Sequence, residues 1–215
     1  YSKETAGTFY TGKTLRRSMH QTRQATITKL PLPRKGTKYV ARAASHLRCA
    51  VPVVIAVRDM LKLAHTAHEV KHLIKQKALK LNGRAVRDMH ESINLFNQLE
   101  ADKTYHLSLL PTGRFIFKEL KEPEDYFHKV IGKKTLKHGR TQLNLHDGAN
   151  LIAKDKDKIA VGDSLYLNAK GNITVHVPFE KGKEVFIIAG KHLGTRGTIT
   201  NLNNNQVTVQ KEGGS

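Results

Sequence analysis

A single cysteine, no tryptophan and only 18 acidic residues against 37 Lys and Arg are the scarcities of this 215-residue chain. The lone thiol, Cys49, excludes an intrachain disulfide framework and a cysteine-based zinc finger. A reducing cytoplasm is the expected compartment. No apolar run approaches the ~18 residues that a membrane span needs. The best candidate, Val51-Pro-Val-Val-Ile-Ala-Val57, ends at Arg58 and Asp59. The first twenty residues hold no apolar central stretch, so no secretory signal is expected. The first residue is Tyr1 rather than Met, which suits a numbering that begins inside a longer sequence. Neither G-x-x-x-x-G-K-[ST] nor G-x-G-x-x-G occurs, leaving nucleotide phosphates without an evident cradle.

What is abundant is positive charge. The net formal charge is +19 and the isoelectric point about 10.1, the electrostatic footprint of a polyanion binder. A merely soluble basic protein is the plainer alternative. Hydrophobic residues make up 39 %, enough for small cores. The length suits one large domain or two to three small ones.

Charge is concentrated at the start. Residues 1–48 carry eleven Lys and Arg, including Lys13, Arg16, Arg17, Arg34, Lys35, Lys38, Arg42 and Arg48, against the single acid Glu4. This Thr-, Ser- and Gly-rich segment shows no sustained helical or strand period and cannot bury enough apolar surface to fold alone. It reads as a solvated tail or as an extended basic arm that orders against phosphates, and its density of cations favours the arm.

Residues 49–108 read as a helix–helix–hairpin unit. Val53, Val54, Val57, Met60 and Leu61 recur at helical spacing from Pro52, predicting an amphipathic helix. Thr66-Ala-His-Glu69 is a capping box ahead of a second helix with Ala67, Val70, Leu73 and Ile74 on its apolar stripe. Asn82-Gly83 predicts a tight hairpin over 79–86. Residues 109–178 read as a central β-rich unit of short strands, a small barrel or sandwich. Within it Glu122-Pro-Glu-Asp125 predicts a helix start, with Tyr126, Phe127 and Val130 behind it. Residues 179–215 read as strand–loop–strand. Gly190, Gly194 and Gly197 there supply positive φ and let a partner approach closely. The fold class is α+β, mostly β.

One catalytic pattern is present. His68-Glu69-Val-Lys-His72 matches H-E-x-x-H, in which two histidines one helical turn apart bind zinc and the glutamate acts as general base. Three points oppose it: Glu69 is the capping partner of Thr66, no third ligand stands out, and Lys71 and Lys75 repel a dication. His65 lines up with His68 and His72 as a further member or as an anion contact. Cys49 beside the apolar run reads as a buried structural thiol. His146-Asp147-Gly148 carries the residue types of a metal or acid–base pair, and equally of a strand-ending turn. No catalysis, cofactor, metal or small-molecule substrate is expected.

Binding has more support. Arg58, Lys62, His68, Lys71, His72 and Lys75 decorate the two helices, while Lys77, Lys80, Arg84 and Arg87 flank the hairpin around Asn82. Cations arriving from an arm, helices and a hairpin suit structured RNA, whose deep major groove side chains cannot read. With 6 Tyr and 7 Phe, mostly at strand positions, base stacking is a poorer fit than backbone recognition.

The order of motifs resembles the S4e family of small-subunit ribosomal proteins of archaea and eukaryotes. The resemblance rests on Leu30-Pro-Leu-Pro-Arg-Lys-Gly-Thr-Lys-Tyr-Val40, 53–63 with Thr66-Ala-His-Glu69, Leu81-Asn-Gly83, Gln142-Leu-Asn-Leu-His-Asp-Gly148 and the terminal glycine unit. It covers most of residues 13–201. The capped helix and hairpin resemble the small αL RNA-binding motif, and Gly182 to Ile199 resembles a KOW motif of SH3-like barrels. The resemblance implies a structural, cytoplasmic component of the small subunit, with ribosomal RNA and neighbouring ribosomal proteins as partners and no membrane. It implies that the helix–hairpin cations grip rRNA phosphates, that the arm with Arg34, Lys35, Lys38 and Arg42 threads along rRNA, and that Lys191, His192 and Arg196 add a contact. The opening Gly12-Lys-Thr-Leu-Arg-Arg17 matches the family pattern only loosely, and longer relatives continue past Ser215. The chain's length is closer to that of archaeal members. A non-ribosomal RNA-processing factor and an H-E-x-x-H zinc hydrolase are the alternatives.

Overall fold

The computed structural model describes residues 19–47, 49–120, 125–137, 140–153, 159–168, 171–203 and 206–211. Lys13, Arg16, Arg17 and Arg48 lie outside them. Among the described residues no helix is long and apolar enough to cross a membrane.

The basic leading segment is folded back on the molecule over 19–47. Strands β1 (His20–Thr22) and β2 (Tyr39–Ala41) pair antiparallel, and Leu30 and Val40 enter the first hydrophobic core. Arg23 closes the loop between the strands. Its guanidinium donates to Thr37 O at 2.8 Å, Pro33 O at 2.5 Å and Thr37 Oγ1 at 3.1 Å. The segment's few apolar residues cannot make a core, but they suffice to join one, and this part is therefore a docked strap rather than an extended arm.

β3 (Ala50–Pro52) leads into helical segment α1, an α-turn Val53–Ile55 that widens into a π-turn Ala56–Met60. The predicted helix is present, but it is not amphipathic: Val53, Val54, Ile55, Ala56 and Val57 are all buried, the mark of a helix packed on every side. Lys62, at φ 58, ends the turn. Cys49 is exposed, correcting the expectation of a buried thiol, because the apolar run enters the core only from Ala50 onward.

Helix α2 (Ala67–Lys75) buries Val70 and rests Ala67, Leu73 and Ile74 on the core, as its stripe predicts. β4 (Lys80–Leu81) and β5 (Arg84–Ala85) form the hairpin, with Asn82 at φ 49 and Gly83 at φ 74 in the turn. β6 (Ser92–Asn94) pairs with β3. β7 (Gln98–Glu100), β8 (Thr104–Leu109) and β9 (Phe115–Leu120) complete a five-stranded antiparallel sheet in the order β5-β4-β7-β8-β9. Leu109 opposite Phe115 carries the first core past residue 108, so this unit extends to Leu120.

The central unit is a second five-stranded sheet, β12-β11-β10-β13-β14, of β10 (Tyr126–Thr135), β11 (Thr141–Leu145), β12 (Asn150–Ala153), β13 (Ser164–Leu167) and β14 (Ile173–Val177). Among the described residues the pairing is open at β12 and β14 rather than closed into a barrel. The helix predicted behind Glu122 is strand from Tyr126. Its aromatic and β-branched residues suit a pleated surface, and buried His128 and Val130 alternate with exposed Lys129 and Ile131. Positions 122–124 lie outside the described residues.

β15 (Glu184–Phe186), β16 (Arg196–Asn203) and β17 (Gln206–Lys211) form a three-stranded sheet. Gly190 and Gly194 have positive φ as predicted. Gly197 lies in β16 without it; what it supplies is room, because a Cβ there would stand 2.6 Å from Gln210 O across the sheet. At Gly194 the closely approaching backbone is the chain's own Leu110 carbonyl. Phe96, Phe127, Phe186 and Tyr166 form a run of edge-on ring contacts, with centroids 4.9–5.6 Å apart, that ties the three units together.

Candidate nucleic-acid interface

Cations converge where α2 ends and the hairpin begins. Thr66 caps the helix, its Oγ1 accepting from Glu69 N at 3.2 Å. The Glu69 carboxylate reaches back one residue further than a capping box requires, accepting from His65 N at 2.8 Å and from Thr66 Oγ1 at 2.9 Å. With Val70 fixed inward, His68, Lys71, His72 and Lys75 face solvent. The Gln76 amide donates to His72 Nε2 at 2.9 Å, and cations in this last turn complement the negative end of the helix dipole.

Beyond α2, Lys77 turns the chain at φ 57 toward the hairpin. An open cleft of about 500 Å³ lies between them, lined by Lys75, Lys77, Arg84 and Arg87 with Ile74, Ala85 and Val86 beneath. Four cations around an apolar floor present the charge and N–H donors that an anion would require. Arg84 also contacts the Glu91 carboxylate, which accepts from Arg87 N at 3.1 Å as well, so one acid holds the arginine side of the cleft in place.

Several of the cations read from the sequence are also paired within the chain. Arg58 forms a two-pronged ion pair with Asp59, at 3.0 and 2.8 Å, and the carboxylate's hydrogen bond raises its already high pKa. Its guanidinium is held by its neighbour. Asn82 is structural: its Oδ1 accepts from Gln98 N and its N–H donates to Gln98 O, each at 2.9 Å, anchoring the hairpin to β7. Lys80 stands 3.7 Å from Glu100, while Lys62 projects into solvent.

Arg34, Lys35 and Lys38 are exposed on the strap loop that Arg23 closes, with the Lys38 ammonium over the Tyr39 ring at 5.5 Å, and Arg42 is half-buried. Lys191, His192 and Arg196 are exposed on the last unit. The sequence reading missed a further basic edge, Lys133, Lys134, Lys137 and Arg140 at the β10–β11 connection, all exposed. The signal was available: between Asp125 and Asp147 the chain carries no acid.

The H-E-x-x-H reading loses its general base. Glu69 is engaged at both carboxylate oxygens by the cap, and those hydrogen bonds, from His65 first and Thr66 next, lower its pKa. Among the described residues the one group of three His, Cys, Asp or Glu close enough to share a metal ion is elsewhere: His128, His146 and Asp147.

The chain is similar to known proteins in family, in sequence and in structure. Residues 101–173 match the model of ribosomal family S4e. The small ribosomal subunit protein eS4 of Halobacterium salinarum is 33 % identical over 209 residues, covering 91 % of this chain and 89 % of the relative. That of Methanocaldococcus jannaschii is 31 % identical, covering 85 % and 81 %. The crystal structure of the 30S ribosomal protein S4e from Thermoplasma acidophilum superposes with a TM-score of 0.65 at 25 % identity, covering 75 % of this chain and 88 % of that one.

Proposed function

The chain belongs to ribosomal family S4e, and from that membership we propose that it is a structural constituent of the small ribosomal subunit that binds and stabilises the subunit's RNA. It acts in the cytoplasm, beside neighbouring ribosomal proteins, as a binding component rather than a catalyst. The observation that carries the RNA contact is the cleft in which Lys75, Lys77, Arg84 and Arg87 converge from a helix end and a hairpin. The helix–hairpin is its αL-type module, the strap over 19–47 the described part of its basic N-terminal segment and the last sheet its KOW-type module. Lys71, the strap cations Arg34, Lys35 and Lys38, and Lys191, His192 and Arg196 extend the contact around the RNA. The shared chemistry is backbone neutralisation, which suits the irregular phosphates of a folded RNA better than base readout does.

The test is salt-dependent binding of small-subunit rRNA fragments. Each neutralised phosphate contributes about 0.7–0.9 to the slope of log affinity against log salt. Lys75→Gln with Arg87→Gln should weaken binding and lower that slope by about two such increments. Both side chains are exposed, so thermal melting should hold. Unchanged affinity and slope would remove the cleft from the interface.

A further inference from the structure

The central sheet turns one face away from its core. Leu143 and Leu145 of β11 pack inward with Val130, so the residues between them in the pleat point outward. Pairing across β10, β11 and β12 sets two rows on that outer face. Gly132, Asn144 and Asn150 form one, and Lys134, Gln142 and Ile152 the other. Lys134 and Asn150 are exposed, as is Ile152 at 60 %. The Gln142 side-chain amide donates to Asn144 Oδ1 at 2.9 Å, which holds the two amides side by side. The Asn144 amide donors and the Gln142 carbonyl are left for a partner outside the chain.

Gly132 has no internal reason to be glycine. It is not among the positive-φ positions, and a Cβ there would meet Asn144 Nδ2 at 3.7 Å, an ordinary contact. A glycine inside a strand weakens it, and bare backbone on an exposed face admits a close approach from outside. Charge says what approaches. Lys133, Lys134, Lys137 and Arg140 are exposed, and none has an ion-pair partner among the described residues. Arg58, Lys80, Arg84 and Lys103 each have one. Positions 126–146 hold no acid, and 154–158, outside the described residues, add three Lys against two Asp.

We propose that this outer face is a second RNA-contact site, separate from the α2–hairpin cleft, and that it takes the minor-groove side of a double-stranded RNA segment. The proposal rests on the RNA-binding reading above and names the form of RNA. The minor groove of an A-form duplex is wide and shallow and displays 2′-hydroxyls, whereas its major groove is too deep and narrow for a sheet face. The four cations neutralise phosphates, and the Gln142–Asn144 pair and Asn150 supply the donors and acceptors that 2′-hydroxyls need. Gly132 lets a ribose edge reach the backbone, and Ile152 covers sugar carbons. An acidic protein would use the cations alone and draw no distinction between ribose and deoxyribose.

The test is binding of the full chain to an RNA duplex and to a DNA duplex of the same sequence, over a range of salt. RNA should bind more tightly than DNA. Lys134→Gln with Lys137→Gln and Arg140→Gln should weaken RNA binding and lower the salt slope by about 2 to 3. Asn144→Ala with Asn150→Ala should narrow the preference for RNA roughly tenfold, the scale of two hydrogen bonds, at an unchanged slope. Gly132→Val suits a strand, so it should keep the melting temperature while weakening duplex binding. Equal affinity for the two duplexes overturns the proposal, as does a preference that survives the asparagine changes. Wild-type affinity and slope in the triple variant overturn it too, and would leave the cations to an acidic protein. Lys75→Gln with Arg87→Gln in the same assay keeps the two readings apart. A loss there with none here removes this face alone, while no loss in either set removes both sites.

Discussion

Asp163 is 3 % exposed and still holds its charge below the ordinary carboxylate range. Burial alone would push its pKa up. Three donors reverse that: Ala160 N at 2.7 Å, His176 Nε2 at 2.7 Å and Phe179 N at 3.0 Å. A carboxyl with a depressed folded pKa stabilises the fold above its unfolded value, about 3.9, and the contribution is lost as pH falls through the folded value. Urea-unfolding midpoints should therefore drop below about pH 4. Asp163→Asn should weaken that acid limb and lower stability at pH 7 by about 2 kcal/mol, the scale of a hydrogen bond to a charged group. An acid limb identical to that of the parent chain would show that Asp163 does not carry it. None of this is legible in the sequence, because His176 and Phe179 meet Asp163 only once β13 and β14 have paired. Thr66 and Glu69 are the opposite case: their spacing of three encodes the cap outright.

At the scale of elements, short-range signals translate directly into structure. Asn82-Gly83 gives the hairpin, because both turn positions need positive φ and these residues tolerate it. Gly83→Val places a β-branched residue at φ 74 and should cost about 1–3 kcal/mol, read as a lower thermal midpoint of the chain. A melt unchanged by that substitution would leave the turn without the strain ascribed to it. Elements fixed by distant partners were harder to see. β3 and β6 are three residues each and exist because Ala50 pairs with Asn94 and Pro52 with Ser92. α1 has the apolar spacing of a helix, but its burial on every side depends on the strap and sheets that surround it. From Tyr126 onward, where a helix was expected, the pleated alternation of aromatic and β-branched residues won.

Across the whole molecule, the cations were legible as composition while their availability was not. The sequence counts Arg58 with Lys71; the structure pairs the first with Asp59 and leaves the second exposed. The strap shows the same limit, since its dispersed Leu30 and Val40 become meaningful only against a core supplied by later residues. The units are joined largely by rings. Phe96, held at φ 68, meets Phe127 at 4.9 Å and Phe186 at 5.5 Å. Phe96→Ala should cost about 2 kcal/mol, less than a fully buried phenylalanine. It should also raise amide exchange at the edges of the central and terminal sheets more than in the first core. Uniform exchange across all three would mean that the units are coupled elsewhere.

The seat of Gly194 against the Leu110 carbonyl adds a temporal dimension to this architecture. During synthesis the turn after β8 leaves the ribosome some eighty residues ahead of the glycine that must settle on it. The first sheet is therefore complete in sequence before the tail emerges, and the missing Cβ of Gly194 is what lets the tail close onto that turn.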